Sequence, residues 1–461
     1  MSRLGARPGG RPEERGRRRM DRPRRTALEA LREIDRNGAY ANLAARRVIE
    51  DQQLTGRDAA FVTELVFGTC RMLGSYDAII ELAAGRDLDS LQPDVLDILR
   101  LGAHQLLGTR VPARAAVDTS VALAAIVVGE RVCGLVNAVL RKIARRDLAQ
   151  WAQRLAGGDE ERRRCLLTGH PQWIIDAFAE VLPTDEIDDL LVADNEAAEP
   201  TLVVRPGLCS RDELVEQGAE ATRWSPWGGV RPGNPAQLPA VRSGRAGVQD
   251  EGSQLVCLAT SRVPGLGGGR WLDMCAGPGG KSALLRGIAP EHQALLVAGE
   301  AQEHRAKLVS LALRRYPHQG HQVVVADGRR LPFPDGSFSL VLADVPCSGL
   351  GALRRRPESR WRRWPEDVGE LAGLQRELLA SALAACEPGG VVAYVTCSPH
   401  RGETLDVVGQ FTEGPVEVLD APALLPEVPG CAAHADPRFV QLWPHRHRTD
   451  AMFLALLRKA N

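Results

Sequence analysis

RWLDMCAGPGGKS, residues 270 to 282, is the stretch on which the fold turns. An apolar run ends at Asp273, a glycine-rich turn follows, and KSALLRGIA opens a helix at Lys281. Glycines let a backbone approach a ligand closely, and a helix N-terminus offers its free N–H groups to an anion. A P-loop needs glycine where Cys275 stands, and the dinucleotide fingerprint needs glycine where Ser282 stands, so both fail. What remains is the shorter turn that binds S-adenosylmethionine (SAM), with the methionine carboxylate as the anion.

Outward from this turn, apolar runs alternate with helical segments, the pattern of an α/β domain with a mostly parallel sheet. Candidate strands are 270 to 275, 294 to 300, 322 to 327, 340 to 344 and 391 to 397. FVQLW and AMFLALL, flanking PHRHRTD, read as a closing antiparallel hairpin. Glu300 ends the second strand, where an acid can accept both ribose hydroxyls, and Asp327 ends the third, where one can accept from the adenine amino group. Taken singly, each acid reads as an N-cap or loop residue. Three such sites at successive strand ends, on the edge where ligands bind in these sheets, favour a cofactor site.

Two cysteines also follow strands: Cys347 in ADVPCSG, residues 343 to 349, and Cys397 in VTCSP, residues 395 to 399. A cysteine in an apolar setting is ordinarily a small core residue. C5 of a pyrimidine, however, is a poor nucleophile until a thiolate adds at C6 and makes the ring an enamine. That chemistry needs a thiolate, an acid beside the base and a group that assists elimination. Amine or oxygen methylation needs no cysteine. The residues alone leave open which of the two thiols attacks.

The remaining chain supplies context. Its 461 residues exceed what one core usually organises, so two or three domains are expected. No long apolar run supports a membrane span, and no signal segment is recognisable, so the expectation is a soluble cytoplasmic protein. Ten cysteines without a C-x-x-C pair argue against a disulfide framework or a zinc ribbon, and no metal is expected. Net charge is zero, yet residues 1 to 25 carry ten arginines against Glu13, Glu14 and Asp21, and read as a basic disordered tail. From Thr26, which with Glu29 forms a capping-box pattern, helical stripes follow: Ala27, Leu31 and Ile34; Phe61, Val62, Leu65, Val66 and Leu73; Val95, Leu99 and Leu106; Val132, Val136, Val139 and Ile143. Residues 26 to 150 are therefore expected to be all-α. Residues 151 to 245 join the helical PQWIIDAFAEVL, the strand-like PTLVVRP and a Gly/Pro-rich run into a small α+β connector, and 246 to 461 form the α/β domain.

DMCAGPGGKS, ADVPCSGLGALRRRPESRW and AYVTCSP resemble the motifs of RNA cytosine-C5 methyltransferases, while GRDAAFVTELVFGTCRML and GLVNAVLRKIAR are similar to the helical RNA-binding fold of the NusB family. Together they resemble the RsmB (Sun/Fmu) family of small-subunit (16S) ribosomal RNA methyltransferases. The resemblance implies an all-α NusB-like domain, the connector and a Rossmann-like SAM-dependent methyltransferase domain, acting on small-subunit ribosomal RNA; a monomer without an obligate protein partner is the expectation beside it. It implies Cys397 as nucleophile and Cys347 as the group that assists product release. It also places Cys275, Ala276, Gly277, Pro278, Gly279, Gly280, Lys281, Glu300, Asp327 and Asp344 at the cofactor, with Asp344 facing the target cytosine as well. Two departures stand out: Gly351-Ala352-Leu353-Arg354 replaces the usual Gly-Thr-Leu-Arg, and PHRGET follows Thr-Cys-Ser in place of a segment with Glu-Glu-Asn. Arg354, Arg355, Arg356, Arg360, Arg362 and Arg363, interleaved with Trp361 and Trp364, read as an RNA groove in preference to a solvated loop anchored to the core by its tryptophans. Transfer RNA as the substrate, and a non-catalytic RNA-binding scaffold, are the competing readings. An intact SAM turn and both thiols speak against the scaffold.

Overall fold

The computed structural model describes residues 21–461. Residues 1–20, most of the expected basic tail, lie outside the described residues. The chain divides into two compact units, one ending at Gly169 and the other running His170–Asn461.

The first unit is helical. Its first helix, Arg22–Asn37, begins ahead of the Thr26 start expected from the sequence. The Asp21 side chain accepts from the Arg24 N–H, and Pro23 sits in the first turn, where its missing N–H costs nothing. Residues 22 to 25 are thus helix and not tail, and Thr26 is a buried helical residue. Further helices run Ala41–Asp51, Gly56–Arg71, Leu73–Ala84, Pro93–Leu107, Ala113–Val127, Cys133–Ile143, Leu148–Ala156 and Glu160–Thr168. Most of the expected stripes form one core, in which Leu31, Val62, Leu65, Val95, Leu99, Val136 and Ile143 are buried together. The stripe drawn through Leu73 is interrupted, because the backbone leaves helical geometry at Met72 and Leu73 opens the next helix. The last two helices belong to this unit, so the division falls later than the boundary near 150 expected from the sequence.

The second unit opens with helices Gln172–Ala179 and Ile187–Ala193, followed by a small antiparallel sheet ordered Glu220–Ala221, Gly228–Val230, Thr201–Val204, Ala246–Val248. The larger sheet comes next. Its strands are β1 (Gly269–Asp273), β2 (Ala294–Glu300), β3 (His321–Val325), β4 (Phe338–Asp344), β5 (Cys386–Thr396), β6 (Val416–Val418), β7 (Val440–Gln441) and β8 (Phe453–Lys459). The order is β6-β8-β5-β4-β1-β2-β3, with β7 pairing β8. β1 to β5 are parallel, while β6, β7 and β8 pair antiparallel at one side. The expected hairpin is the β7/β8 pair, with the short helix Pro444–His447 in its connection, and β6 is a strand the sequence pattern did not reveal.

The central strands are apolar without alternation because both faces are covered. Leu340 and Leu342 of β4, with Val391, Ala393 and Val395 of β5, enter one core; Val341, Ala343, Val392 and Tyr394 enter the other. Every parallel strand therefore delivers its C-terminal end to one edge, and all the candidate site residues sit on that edge.

Candidate functional site

The glycine-rich loop leaves β1 at Asp273 and enters the helix Gly280–Ile288. Gly279 has φ +105°, and a Cβ there would lie 2.7 Å from the Ala312 Cβ and 2.9 Å from the Val309 Cα. Only glycine allows the turn to sit this close to the Glu303–Leu313 helix. The helix start has no side-chain cap, so its first N–H groups face the loop without a side-chain acceptor, as a carboxylate-binding terminus requires. Ser282 donates to Asp273 at 2.5 Å, and burial pushes the Asp273 carboxyl up to about 7 against that hydrogen bond. Burial likewise raises the Cys275 thiol, with Asp344, Asp273 and Glu300 adding to it, so this cysteine is a protonated loop residue.

Glu300 is the last residue of β2 and is buried. Its oxygens accept from the Gly277 and Gln302 N–H groups, each at 3.0 Å, with Arg305 3.6 Å away. The carboxylate thereby ties the loop to the second strand and keeps further acceptor capacity for hydroxyls. Asp327 follows β3, but its side chain is 44 % exposed and paired with Arg329 at 2.7 Å, which holds the carboxyl down at about 2. Asp344 ends β4 and receives Lys281 at 2.7 Å. The loop, Lys281, Glu300 and Asp344 thus come together, while Asp327 lies toward solvent beside them.

Cys347 and Cys397 meet, with their Sγ atoms 3.3 Å apart. The thiol hydrogen bond shared with Cys347 is the largest influence holding the Cys397 pKa below the usual thiol value. Burial and Asp344 oppose it, and Arg356 and Lys281 reinforce it. Cys347 moves the opposite way, raised by that same hydrogen bond, by burial, by the charge on Cys397 and by Glu403. The two thiols thus shift in opposite directions, Cys397 down and Cys347 up. The Gly351 N–H donates to the Cys397 carbonyl at 2.9 Å, and a Cβ at Gly351 would lie 2.2 Å from the Ala451 oxygen. The departure at Ala352 leaves this close approach intact.

The expected arginine groove is partly corrected. Arg360 is fully buried and donates to the Asp194 carbonyl at 2.9 Å and to Asn195 at 2.8 Å. Arg355 pairs with Asp250 at 2.7 Å and with Asp450 at 3.1 Å. These two guanidiniums hold segments of this unit together, because buried carboxylates and carbonyls need donors. Arg356 stays near Cys397, and Trp364 is 64 % exposed. A feature not foreseen is a buried hydrogen-bond network in which Glu403 holds Ser348 and Gln375, and Ser348 meets Ser398. The Glu in PHRGET was its only trace in the sequence.

Among the described residues no helix is long and apolar enough to cross a membrane. Comparison with known proteins adds the lineage. The family described as 16S rRNA methyltransferase RsmB/F matches residues 266–458, and the NusB family matches residues 21–145. A Mycobacterium tuberculosis protein provisionally named a methyltransferase is 46 % identical over 459 residues, covering 97 % of this chain and 99 % of that one. A Klebsiella pneumoniae ribosomal RNA small subunit methyltransferase B is 32 % identical over 373 residues, covering 78 % of this chain and 83 % of that one. The crystal structure of PH0851 superposes with a TM-score of 0.79 at 23 % identity, covering 95 % of this chain and 98 % of that one, and shares the fold.

Proposed function

As a member of the RsmB/F family of SAM-dependent 16S rRNA methyltransferases, this chain, we propose, methylates C5 of a cytosine in small-subunit ribosomal RNA, with Cys397 as nucleophile and Cys347 as the release group. The observation that carries this reading is the 3.3 Å thiol pair at the same sheet edge as the glycine-rich loop. Methylation of nitrogen or oxygen has no use for two thiols there.

The loop from Cys275 through Ala276, Gly277, Pro278, Gly279 and Gly280 to Lys281 would hold the methionine end of SAM, with Glu300 at the ribose. Asp327 would reach the adenine only by leaving Arg329. When bound, SAM supplies an electrophilic methyl group on a sulfonium. The Cys397 thiolate forms a bond to C6, and the C5=C6 electron pair shifts to C5, which becomes the nucleophile. Asp344 would accept from the cytosine N4 amino group and hold the N3/N4 edge in place as charge develops on the ring. After C5 has gained its methyl group, a base takes the C5 proton. The pair returned to C5=C6 expels Cys397 as thiolate, and the Cys347 proton eases that departure. The target base must leave its stack, since C5 and C6 are inaccessible within a helix.

The test uses wild type, Cys347→Ser and Cys397→Ser with SAM and protein-free small-subunit ribosomal RNA, followed by denaturing electrophoresis. A denaturant-stable protein–RNA band confined to Cys347→Ser is expected, and Cys397→Ser should lose both the band and methylation. A band confined to Cys397→Ser reverses the two roles. No band and no methylation with ribosomal RNA removes this substrate.

A further inference from the structure

Glu403 is fully buried, and nothing in the chemistry above uses it. Its carboxylate accepts from the Ser348 N–H at 2.7 Å and from the Ser348 hydroxyl. The Ser348 hydroxyl also meets that of Ser398 at 3.1 Å. Gln375 donates one amide group to the Pro346 carbonyl at 2.9 Å and to Glu403 Oε1 at 3.1 Å. The Tyr394 hydroxyl, from β5, donates to the Glu403 carbonyl at 2.7 Å. Pro346 and Ser348 bracket Cys347, and Ser398 follows Cys397, so Glu403 holds the Pro-Cys turn directly and reaches the Thr-Cys turn through the Ser348 hydroxyl.

Burying a carboxylate is costly unless donors surround it, and here three donors converge on its two oxygens. A neutral side chain would close the same space at less cost in desolvation. The charge therefore calls for a role, and of the two thiols it acts on Cys347, whose neighbours Pro346 and Ser348 its network holds. We propose that Glu403 is the positioning residue of the cysteine pair: it grips the Ser348 turn, which the Ser348 hydroxyl ties to Ser398, and so fixes the thiol separation with its carboxylate on the Cys347 side. This rests on the reading of the pair as nucleophile and release group. The other groups facing the pair are Asp344 from the end of β4, Lys281 from the Gly280–Ile288 helix, Arg356 from the segment after the Pro-Cys turn and Tyr394 from β5. Lys281 and Arg356 favour the Cys397 thiolate and Asp344 opposes it, so within this set Glu403 is the anion set against ionisation of Cys347.

The experiment is site-resolved alkylation of the full chain without RNA or SAM, as initial iodoacetamide rates at each cysteine read by mass spectrometry from about pH 6 to 9. In the wild type, Cys397 should label before Cys347. In Glu403→Gln, which keeps the shape but loses the charge, the Cys397-to-Cys347 rate ratio should fall about tenfold, the equivalent of one pKa unit. Turnover should fall with it while SAM affinity by calorimetry stays within about twofold, and Glu403→Asp should recover part of the labelling preference. A wild-type ratio and pH profile in Glu403→Gln overturn the proposal. Should that variant fail to fold, Ser348→Ala decides: it retains the charge but breaks the bridge, and wild-type turnover in it overturns the clamp. A shifted labelling ratio in a chain that methylates no ribosomal RNA would instead refute the substrate reading alone.

Discussion

Replacing Lys281 with methionine tests whether the glycine-rich loop and the catalytic edge act as one electrostatic unit. Lys281 and Asp344 lie 2.7 Å apart with side chains 12 % and 27 % exposed. At that separation and an effective dielectric of about 20, Coulomb's law gives roughly 6 kcal/mol of gross attraction. Desolvation removes much of it, and taking one partner from a buried pair costs about 3–5 kcal/mol, toward the lower end here because Asp344 keeps some water. Burial alone would depress the Lys281 pKa, but Asp344 outweighs it and holds the ammonium above the usual lysine value. For a raised lysine, the stabilisation is fully present below the unfolded value of about 10.4 and is lost only as pH rises through the folded one. The titration of Lys281 itself should therefore add no pH dependence to the cost of Lys281→Met from about pH 6 to 9. Urea unfolding of the wild type, Lys281→Met, Asp344→Asn and the double variant should give a coupling energy of about 2 kcal/mol. The same substitution removes a cation that favours the Cys397 thiolate, so Cys397 alkylation should slow. A coupling energy below about 0.5 kcal/mol would refute the reasoning.

Asp273 follows the same sign in a lower pH window: burial raises its carboxyl to about 7, so its favourable contribution is complete below the unfolded value of about 3.9 and is lost as pH rises through 7. Asp273→Asn, which still accepts from Ser282, should flatten the fall in urea midpoint between about pH 4 and 7, and an unchanged slope would remove Asp273 as its source. Trp364→Ala should weaken RNA binding by about 1–3 kcal/mol in a filter assay without moving the unfolding midpoint. Arg360→Met should do the reverse through stability, since it leaves the Asp194 carbonyl and Asn195 without that donor. Gly279→Ala should destabilise by about 2–4 kcal/mol and lower SAM affinity, because the added Cβ meets both a positive φ and the Glu303–Leu313 helix. Wild-type stability and affinity would mean that the loop is looser than its contacts indicate.

The sequence disclosed what lies along one strand or helix and hid what depends on side chains meeting across the sheet. The Gly-rich turn, Glu300 and Asp344 follow from strand ends and local spacing, and all lie where that logic puts them. The arginine run after the Pro-Cys turn was only half legible, because an arginine on a groove and one satisfying a buried carbonyl look alike in sequence. Arg360 belongs to the second kind only because Asp194 and Asn195, far away in the chain, close over it. Glu403 was misjudged for the same reason. PHRGET read as a departure, while its carboxylate finds Ser348 and Gln375 through contacts of |i−j| 55 and 28 that no local pattern announces.

Why the two thiols meet is a question of strand order and direction. β4 and β5 are parallel neighbours with Asp344 opposite Val395, so both leave the sheet on the same side, about 4.8 Å apart. Cys347 lies just past one end and Cys397 just past the other, and the Val345 N–H still bonds the Val395 carbonyl at 3.0 Å, which carries the pairing beyond the last strand residue of β4. Were β5 antiparallel to β4, its last residue would emerge at the opposite edge, out of reach of Cys347 and of the glycine-rich loop. Cys386 supplies the internal contrast: it begins the same strand that ends before Cys397, is buried at the far edge, and burial pushes its thiol up to about 12. One residue type on one strand is thus an inert core member at the N-terminal end and a candidate nucleophile at the C-terminal end. Position on the sheet, before any local chemistry, decides which cysteine can face a cofactor.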